Sequence, residues 1–193
     1  DTRRREFYQA ELYALEGAST YIRRYGKLAA EMAASEADPQ RKAELERISS
    51  NCLQVAEGAP RDFWEAIQLY HLATNMIIIE SNGHSVTYGR FDKLFKDFYE
   101  NDIKNGTLTR EQMQELIELF FVKMHQLRKI RDTYAITFSS GTIMGGTALD
   151  VGGVDEFGRD ITNDLSYMVL DAHAHTRIPN PWMGVRLHEN SPW

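Results

Sequence analysis

Within nine residues the sequence sets His84, Ser85, Thr87, Tyr88, Arg90 and Asp92. A neutral imidazole both donates and accepts a hydrogen bond, and so does a serine hydroxyl. His84 and Ser85 together therefore suit a small molecule that carries hydroxyls or a carboxylate. Gly83 permits a sharp backbone turn just ahead of them. Ser85 and Thr87 then alternate with Val86 and Tyr88, which on a strand sends one set of side chains toward a cavity and the other away from it. A plainer arrangement fits the same residues: a capped turn in which Arg90 pairs with Asp92.

Other constellations do not assemble. His173 and His175 stand two apart on an expected helix, so they point to different faces and cannot chelate as a pair four apart would. The sequence holds no His-Glu-x-x-His, no cysteine pair and no calcium loop, so no metal site is expected. Gly145-Gly146 and Gly152-Gly153 lack the spacing of a Walker or dinucleotide-binding loop. His71 and His125 fall on helices and read as structural histidines. Cys52 is the single cysteine, which rules out an internal disulfide and a cysteine-based metal site. Its spacing from Leu45, Ile48 and Val55 places it on an apolar helix face as a small hydrophobe.

Two textures position these residues. From Thr2 to about Arg131 the pattern is helical. Phe7, Leu12, Leu15, Tyr21, Ile22, Tyr25, Leu28 and Met32 form an apolar stripe expected to face the core. Asp38-Pro39 offers a cap and a first-turn proline for a second helix ending near Gly58. Pro60 opens a third helix through Phe63, Ile67 and Tyr70 to Ile78. A fourth, from Phe91, stops at Asn105-Gly106, and Thr109-Arg110-Glu111-Gln112 is a capping box for a fifth. From Asp132 onward short β-prone pieces are expected at Ala135–Phe138 and Ala148–Val151. Asp155–Gly158 reads as a turn, Thr162-Asn163-Asp164 caps a sixth helix from Leu165 to about His175, and Trp182–His188 alternates as a strand. The fold class is α/β, helix-rich, with no repeat or linker dividing the chain.

Composition limits the partners. The chain has 193 residues, 42% apolar and 26% charged, as in an ordinary soluble domain. A net charge of −6, with Arg3-Arg4-Arg5 and Arg128-Lys129-Ile130-Arg131 as short basic runs, argues against a nucleic-acid surface. No apolar run is long enough to cross a bilayer, so a cytoplasmic protein without membrane contact is expected. In that setting Asn105-Gly106-Thr107 reads as a turn rather than a glycan site. A start at Asp1 and a stop at Trp193 suggest a fragment truncated at both ends.

The run Glu80–Asp92 resembles a segment of the glycyl radical enzymes related to pyruvate formate-lyase. The resemblance extends in order through Arg5-Glu6-Phe7-Tyr8, Phe63–Leu69, Leu108–Glu111, Gly152-Gly153-Val154-Asp155, Gly158–Tyr167 and Val185-Arg186-Leu187-His188. It covers almost the whole chain and is nearest the glycerol and diol dehydratase branch. It implies part of one pyruvate formate-lyase-like domain: a partial wall of an α/β barrel with surrounding helices. In the dehydratase branch the His-Ser pair contacts substrate hydroxyls, which maps to His84 and Ser85, with Gly89-Arg90-Phe91-Asp92 as support beside the pocket. Arg186, on a strand expected to face the barrel interior, is a weaker candidate for a polar or anionic substrate group. An ion pair with a loop carboxylate such as Glu189 suits it equally.

The family stores a radical on a C-terminal glycine and passes it to a cysteine on a facing loop; neither loop is present here, and Cys52 does not match. The resemblance thus implies a radical lyase or dehydratase cleaving a C–O, C–C, C–N or C–S bond of a small polar substrate, with this segment inactive alone. It also implies no bound cofactor here, a radical installed by a radical S-adenosylmethionine activating enzyme, and a homodimer of the full-length protein. Alternatives within the family are a formate C-acetyltransferase-type enzyme, a decarboxylase and an arylalkylsuccinate synthase; outside it, a non-catalytic helical interaction module. Ser139–Gly146 reads as lining something particular to this branch.

Overall fold

In a computed structural model, residues 1–81, 86–127, 132–138 and 148–191 are described. Helix α1 (Thr2–Ser35) begins at Asp1, whose side chain accepts from Arg3 N, and packs along α2 (Pro39–Val55). Asp38 caps α2 by accepting from Arg41 N, and Pro39 takes the first-turn position where its missing N–H costs nothing. Helix α3 (Phe63–Glu80) starts at Asp62 rather than at Pro60. The Asp62 carboxylate accepts from Glu65 N, and Asp102 accepts from Phe63 N at 2.8 Å. Strand β1 (Thr87–Arg90) runs directly into α4 (Phe91–Asn105), which Gly106 ends at φ 66°, a left-handed conformation that glycine adopts without penalty. Thr109 and Gln112 close the expected capping box at the head of α5 (Arg110–Gln126).

The first helix corrects the sequence reading. Its buried residues are Ile22, Gly26, Ala29 and Ala33, whereas Phe7, Leu12, Leu15, Tyr25, Leu28 and Met32 are exposed. Ile22 of the expected stripe is buried and Tyr21 packs beside it, but from there on the buried Gly26, Ala29 and Ala33 stand one residue past the expected Tyr25, Leu28 and Met32, about 100° around a helix. α1 approaches α2 through its small residues: a Cβ on Gly26 would stand 3.1 Å from Cys52 Cβ. Close helix approach selected the small face, and Tyr25, Leu28 and Met32 line an open cleft beside it instead of the core.

A second correction concerns residues 135–138, which join α6 (Thr133–Phe138) rather than a strand. Propensity for strand reflects fit to a neighbouring strand. Here the backbone bonds locally instead, and Thr137 Oγ1 donates to Thr133 O.

Strand β2 (Ala148–Gly152), helix α7 (Asp164–Thr176) and strand β3 (Trp182–Arg186) complete the chain. The sheet order is β1-β2-β3, all parallel, with Ala148 opposite Trp182 and Gly152 opposite Arg186. Tyr88, Leu149 and Val151 point into the main core, where Phe63, Phe91, Phe95, Phe120, Phe121 and Met168 pack from the helices. The helix-rich α/β class is borne out. No helix among the described residues is long and apolar enough to cross a membrane.

Candidate functional site

Because all three strands run the same way, their last residues share one edge: Arg90, Gly152 and Arg186. In open parallel sheets this carboxyl-terminal edge is where loops gather functional groups. One buried carboxylate holds the edge together. Asp92, in the first turn of α4 and fully buried, accepts from Gly152 N at 2.6 Å and from Ser166 Oγ at 2.5 Å. Ser166 in turn accepts from Asn163 N, closing the capping box of α7, and Asn163 Nδ2 donates to Asp92 O at 3.4 Å. The junction of β1 and α4, the end of β2 and the start of α7 therefore meet at one side chain.

The face of the sheet turned away from the helices carries Asp150, Gly184 and Arg186. Asp150 Oδ2 accepts from Arg186 Nε at 3.0 Å. Gly184 lies directly opposite Asp150 in the ladder, and a Cβ there would fall 2.2 Å from Asp150 Oδ1. The missing side chain is what lets the carboxylate lean across β3 to the guanidinium. Gly153, at φ 90°, does the same for Arg186: a Cβ would stand 3.1 Å from Arg186 Cβ and 3.6 Å from Arg90 Nη1.

Of the expected substrate residues, His84 and Ser85 lie outside the described residues, as does the Ser139–Gly146 stretch. Arg186 is described and exposed, and its partner is Asp150 across the ladder, not Glu189. Arg90 does not pair with Asp92; its Nη1 donates to Val154 O at 2.7 Å, while Asp92 serves the buried junction. The run Gly89–Asp92 supports the sheet edge through these two bonds. Asp150 and Gly184 were missed. Alternation along Trp182–His188 put Gly184 and Arg186 on one side, but strand order was needed to bring Asp150 beside them.

Other titratable groups serve structure. His188 Nε2 meets Asp160 Oδ1 at 3.0 Å while Asn190 N donates to Nδ1 at 3.2 Å, so neither ring nitrogen is open to a ligand. The hydrogen bond from His188 holds the Asp160 carboxyl below its usual range. His173 stacks edge-on against Phe121 and His175 meets Glu118, so the two diverge as their spacing required. Cys52 is buried, with Gln68 Nε2 at 2.9 Å from Sγ, and burial raises its pKa. A cavity of about 400 Å³ opens among α1, α2, α3 and α5, lined by Leu28, Met32, Trp64, His71 and Phe120 among others, with no strand residue in its wall.

A family described as pyruvate formate lyase-like matches residues 1–193. The chain belongs to this family. It is 48% identical over 190 residues to (2S)-3-sulfopropanediol dehydratase of Klebsiella oxytoca, covering 98% of this chain and 23% of that protein. It is 36% identical over 194 residues to isethionate sulfite-lyase of Nitratidesulfovibrio vulgaris, again 98% against 23%. Among solved structures, the glycerol-bound B12-independent glycerol dehydratase from Clostridium butyricum superposes with a TM-score of 0.86 at 39% identity, covering 92% of this chain and 22% of that one. The pyruvate formate lyase-like chain thus spans about a quarter of the length of the relatives it matches, and its three-stranded sheet corresponds to part of a larger barrel wall.

Proposed function

We propose that this pyruvate formate lyase-like segment forms part of the substrate chamber of an anaerobic, cytoplasmic glycyl radical dehydratase or lyase. In this reading residues 1–193 are one piece of a single barrel domain, inactive alone, and the full-length enzyme is a homodimer. A radical S-adenosylmethionine activating enzyme installs the glycyl radical on a part of the polypeptide beyond this segment. That radical supplies hydrogen abstraction; the residues of this chain bind and orient.

The observation that carries the reading is the sheet itself. One face is packed against helices, and the other presents a charge pair, Asp150 with Arg186, over a glycine. Parallel sheets are normally covered on both faces. A face that holds an ion pair beside Ala148 and the exposed Trp182 suits the wall of a polar chamber. Enclosure keeps water and stray hydrogen donors from a radical, and binding energy is then used to position the bond to be broken. His84 and Ser85 would hold substrate hydroxyls and assist proton movement as a hydroxyl leaves. Arg186 would receive a polar or anionic group. Relatives named for sulfopropanediol, isethionate and glycerol support a small hydroxylated substrate.

The test is to purify the full-length polypeptide with its activating enzyme and record electron paramagnetic resonance. A glycine-centred doublet is expected, with turnover of a small diol or hydroxysulfonate lost in His84→Ala and Ser85→Ala. Absence of the doublet under reducing, anaerobic activation refutes the catalytic reading.

A further inference from the structure

The ladder between β1 and β2 is uneven, although bonds between parallel strands are normally evenly spaced. Thr87 stands opposite Ala148 and Arg90 opposite Asp150, so three steps along β1 match two along β2. One extra residue is folded into β1 as a β-bulge, rare between parallel strands and frequent beside functional sites, where it re-aims side chains. Gly89 carries the bend at φ 59°, and a Cβ there would meet nothing within 4 Å. The left-handed backbone, not crowding, calls for glycine. An even strand would send Arg90 to the same face as Tyr88. With the bulge, Tyr88 stays buried in the core while Arg90 comes into register with Asp150.

The bend is gripped from the helix layer. Tyr70, on α3, donates its hydroxyl to Tyr88 O at 2.6 Å. Three rings hold the Tyr70 ring: Phe95 at 5.4 Å, and Tyr88 and Phe120 at 6.0 Å each. The direction of the donor is thus set by packing before it reaches the strand. Burial raises the Tyr70 pKa, so the donor proton stays in place. Phenylalanine would serve the packing alone; the hydroxyl adds a directed bond to the main chain.

We propose that Tyr70 is a positioning residue for the substrate: with the bulge at Tyr88–Gly89 it fixes the angle at which the chain runs from His84 and Ser85 into β1. The inference rests on the reading that His84 and Ser85 hold substrate hydroxyls. Ser85 stands two residues ahead of Thr87, the first residue of β1, so a shift of the strand start reaches it through one intervening residue. Tyr70 itself stays on the helix side of the sheet and touches no substrate.

The experiment uses the full-length polypeptide before radical activation, so that binding is read without turnover. Calorimetric titration with propane-1,2-diol and 2-hydroxyethanesulfonate reads binding. Amide hydrogen exchange of residues 86–90, divided by that of α2 in the same sample, reads the grip on β1 without a ligand. Tyr70→Phe keeps the ring and removes the hydroxyl. It should weaken binding of the probe about fivefold, the scale of one hydrogen bond, and raise the exchange ratio by a similar factor. Tyr99→Phe removes another tyrosine hydrogen bond, from α4 to Asp164, and should change neither. Gly89→Asn and Gly89→Val add side chains of similar volume, but asparagine accepts the left-handed conformation and a β-branched valine does not. Asparagine should therefore keep binding, whereas valine should lower it as Tyr70→Phe does. Equal effects of Tyr70→Phe and Tyr99→Phe, or of the two Gly89 variants, overturn the proposal. Failure of both probes to bind the unsubstituted protein refutes the reading of His84 and Ser85 and the positioning role with it. Binding that Tyr70→Phe leaves unchanged overturns the positioning role alone.

Discussion

Asp92→Ala is the sharpest test of how the candidate edge is built. Asp92 is fully buried and accepts three hydrogen bonds, from Gly152 N, Ser166 Oγ and Lys93 N. Lys93 is an exposed residue in the first turn of α4, where water can replace the lost acceptor. Gly152 and Ser166 are buried, so their donors stay unpaired, at about 1–3 kcal/mol each. Loss of the carboxylate should therefore cost about 3–5 kcal/mol, in line with removal of one partner from a buried charged network. For a chain of this size that is roughly 6–20 °C in Tm. Asp92→Asn keeps the shape but offers one oxygen. Turned toward Gly152 and Ser166, it sets its NH2 against the Lys93 N–H, and the cost should be nearer 1–2 kcal/mol. Ser166→Ala combined with Asp92→Ala in a double-mutant cycle should show a coupling of about 0.5–3 kcal/mol. Urea denaturation followed by circular dichroism gives all four values. An Asp92→Ala cost below about 1 kcal/mol, or zero coupling to Ser166, would show that the edge is held by packing and not by this carboxylate.

Further outcomes can be checked on the same material. Burial, helped by Lys123, lowers the His71 pKa to about 4 from 6.5, so the unfolded chain binds the proton first as pH falls. Stability from this group is whole above about pH 6.5 and is lost toward pH 4, about 2 kcal/mol by pH 5; His71→Gln should flatten that part of the Tm–pH curve, and an unchanged slope would refute it. Gly106→Ala meets no neighbouring atom but must hold φ 66°, so it should cost about 1–2 kcal/mol through backbone strain alone. Cys52 is buried and its pKa raised, so a disulfide reagent should label it only after denaturation. Rapid labelling of the native protein would contradict the packing of α1 on α2.

Local signals were legible where chemistry is local. Asp38-Pro39, Asn105-Gly106, Thr109–Gln112 and Asn163 each satisfy backbone groups within a few residues, and each boundary lies where its cap predicts. Apart from Tyr21 and Ile22, the apolar stripe of α1 failed because large side chains were weighed above small ones. A helix pair approaching through Gly26, Ala29 and Ala33 buries little side chain and reads as polar. Residues 135–138 failed because β-branched and aromatic residues favour a strand only where a strand edge is offered. At the site, Arg186 could be read from alternation, yet its partner could not. Glu189 is near in sequence, whereas Asp150 is 36 positions away and arrives only through parallel pairing.

The arrangement of glycines makes the strongest case that the open face serves ligand binding more than stability. Glycine inside a strand weakens it, since it loses more entropy on folding and packs nothing. Yet Gly184 lies inside β3, where a Cβ would fall 2.2 Å from Asp150 Oδ1, whereas Gly152 and Gly153 are held at φ 74° and 90°, where glycine alone sits without strain. An exposed pair such as Asp150–Arg186 adds little stability by itself. A weakened strand centre beside a weak ion pair makes poor sense as scaffolding. It makes sense if the direction in which Asp150 holds the Arg186 guanidinium matters to what lies against the sheet.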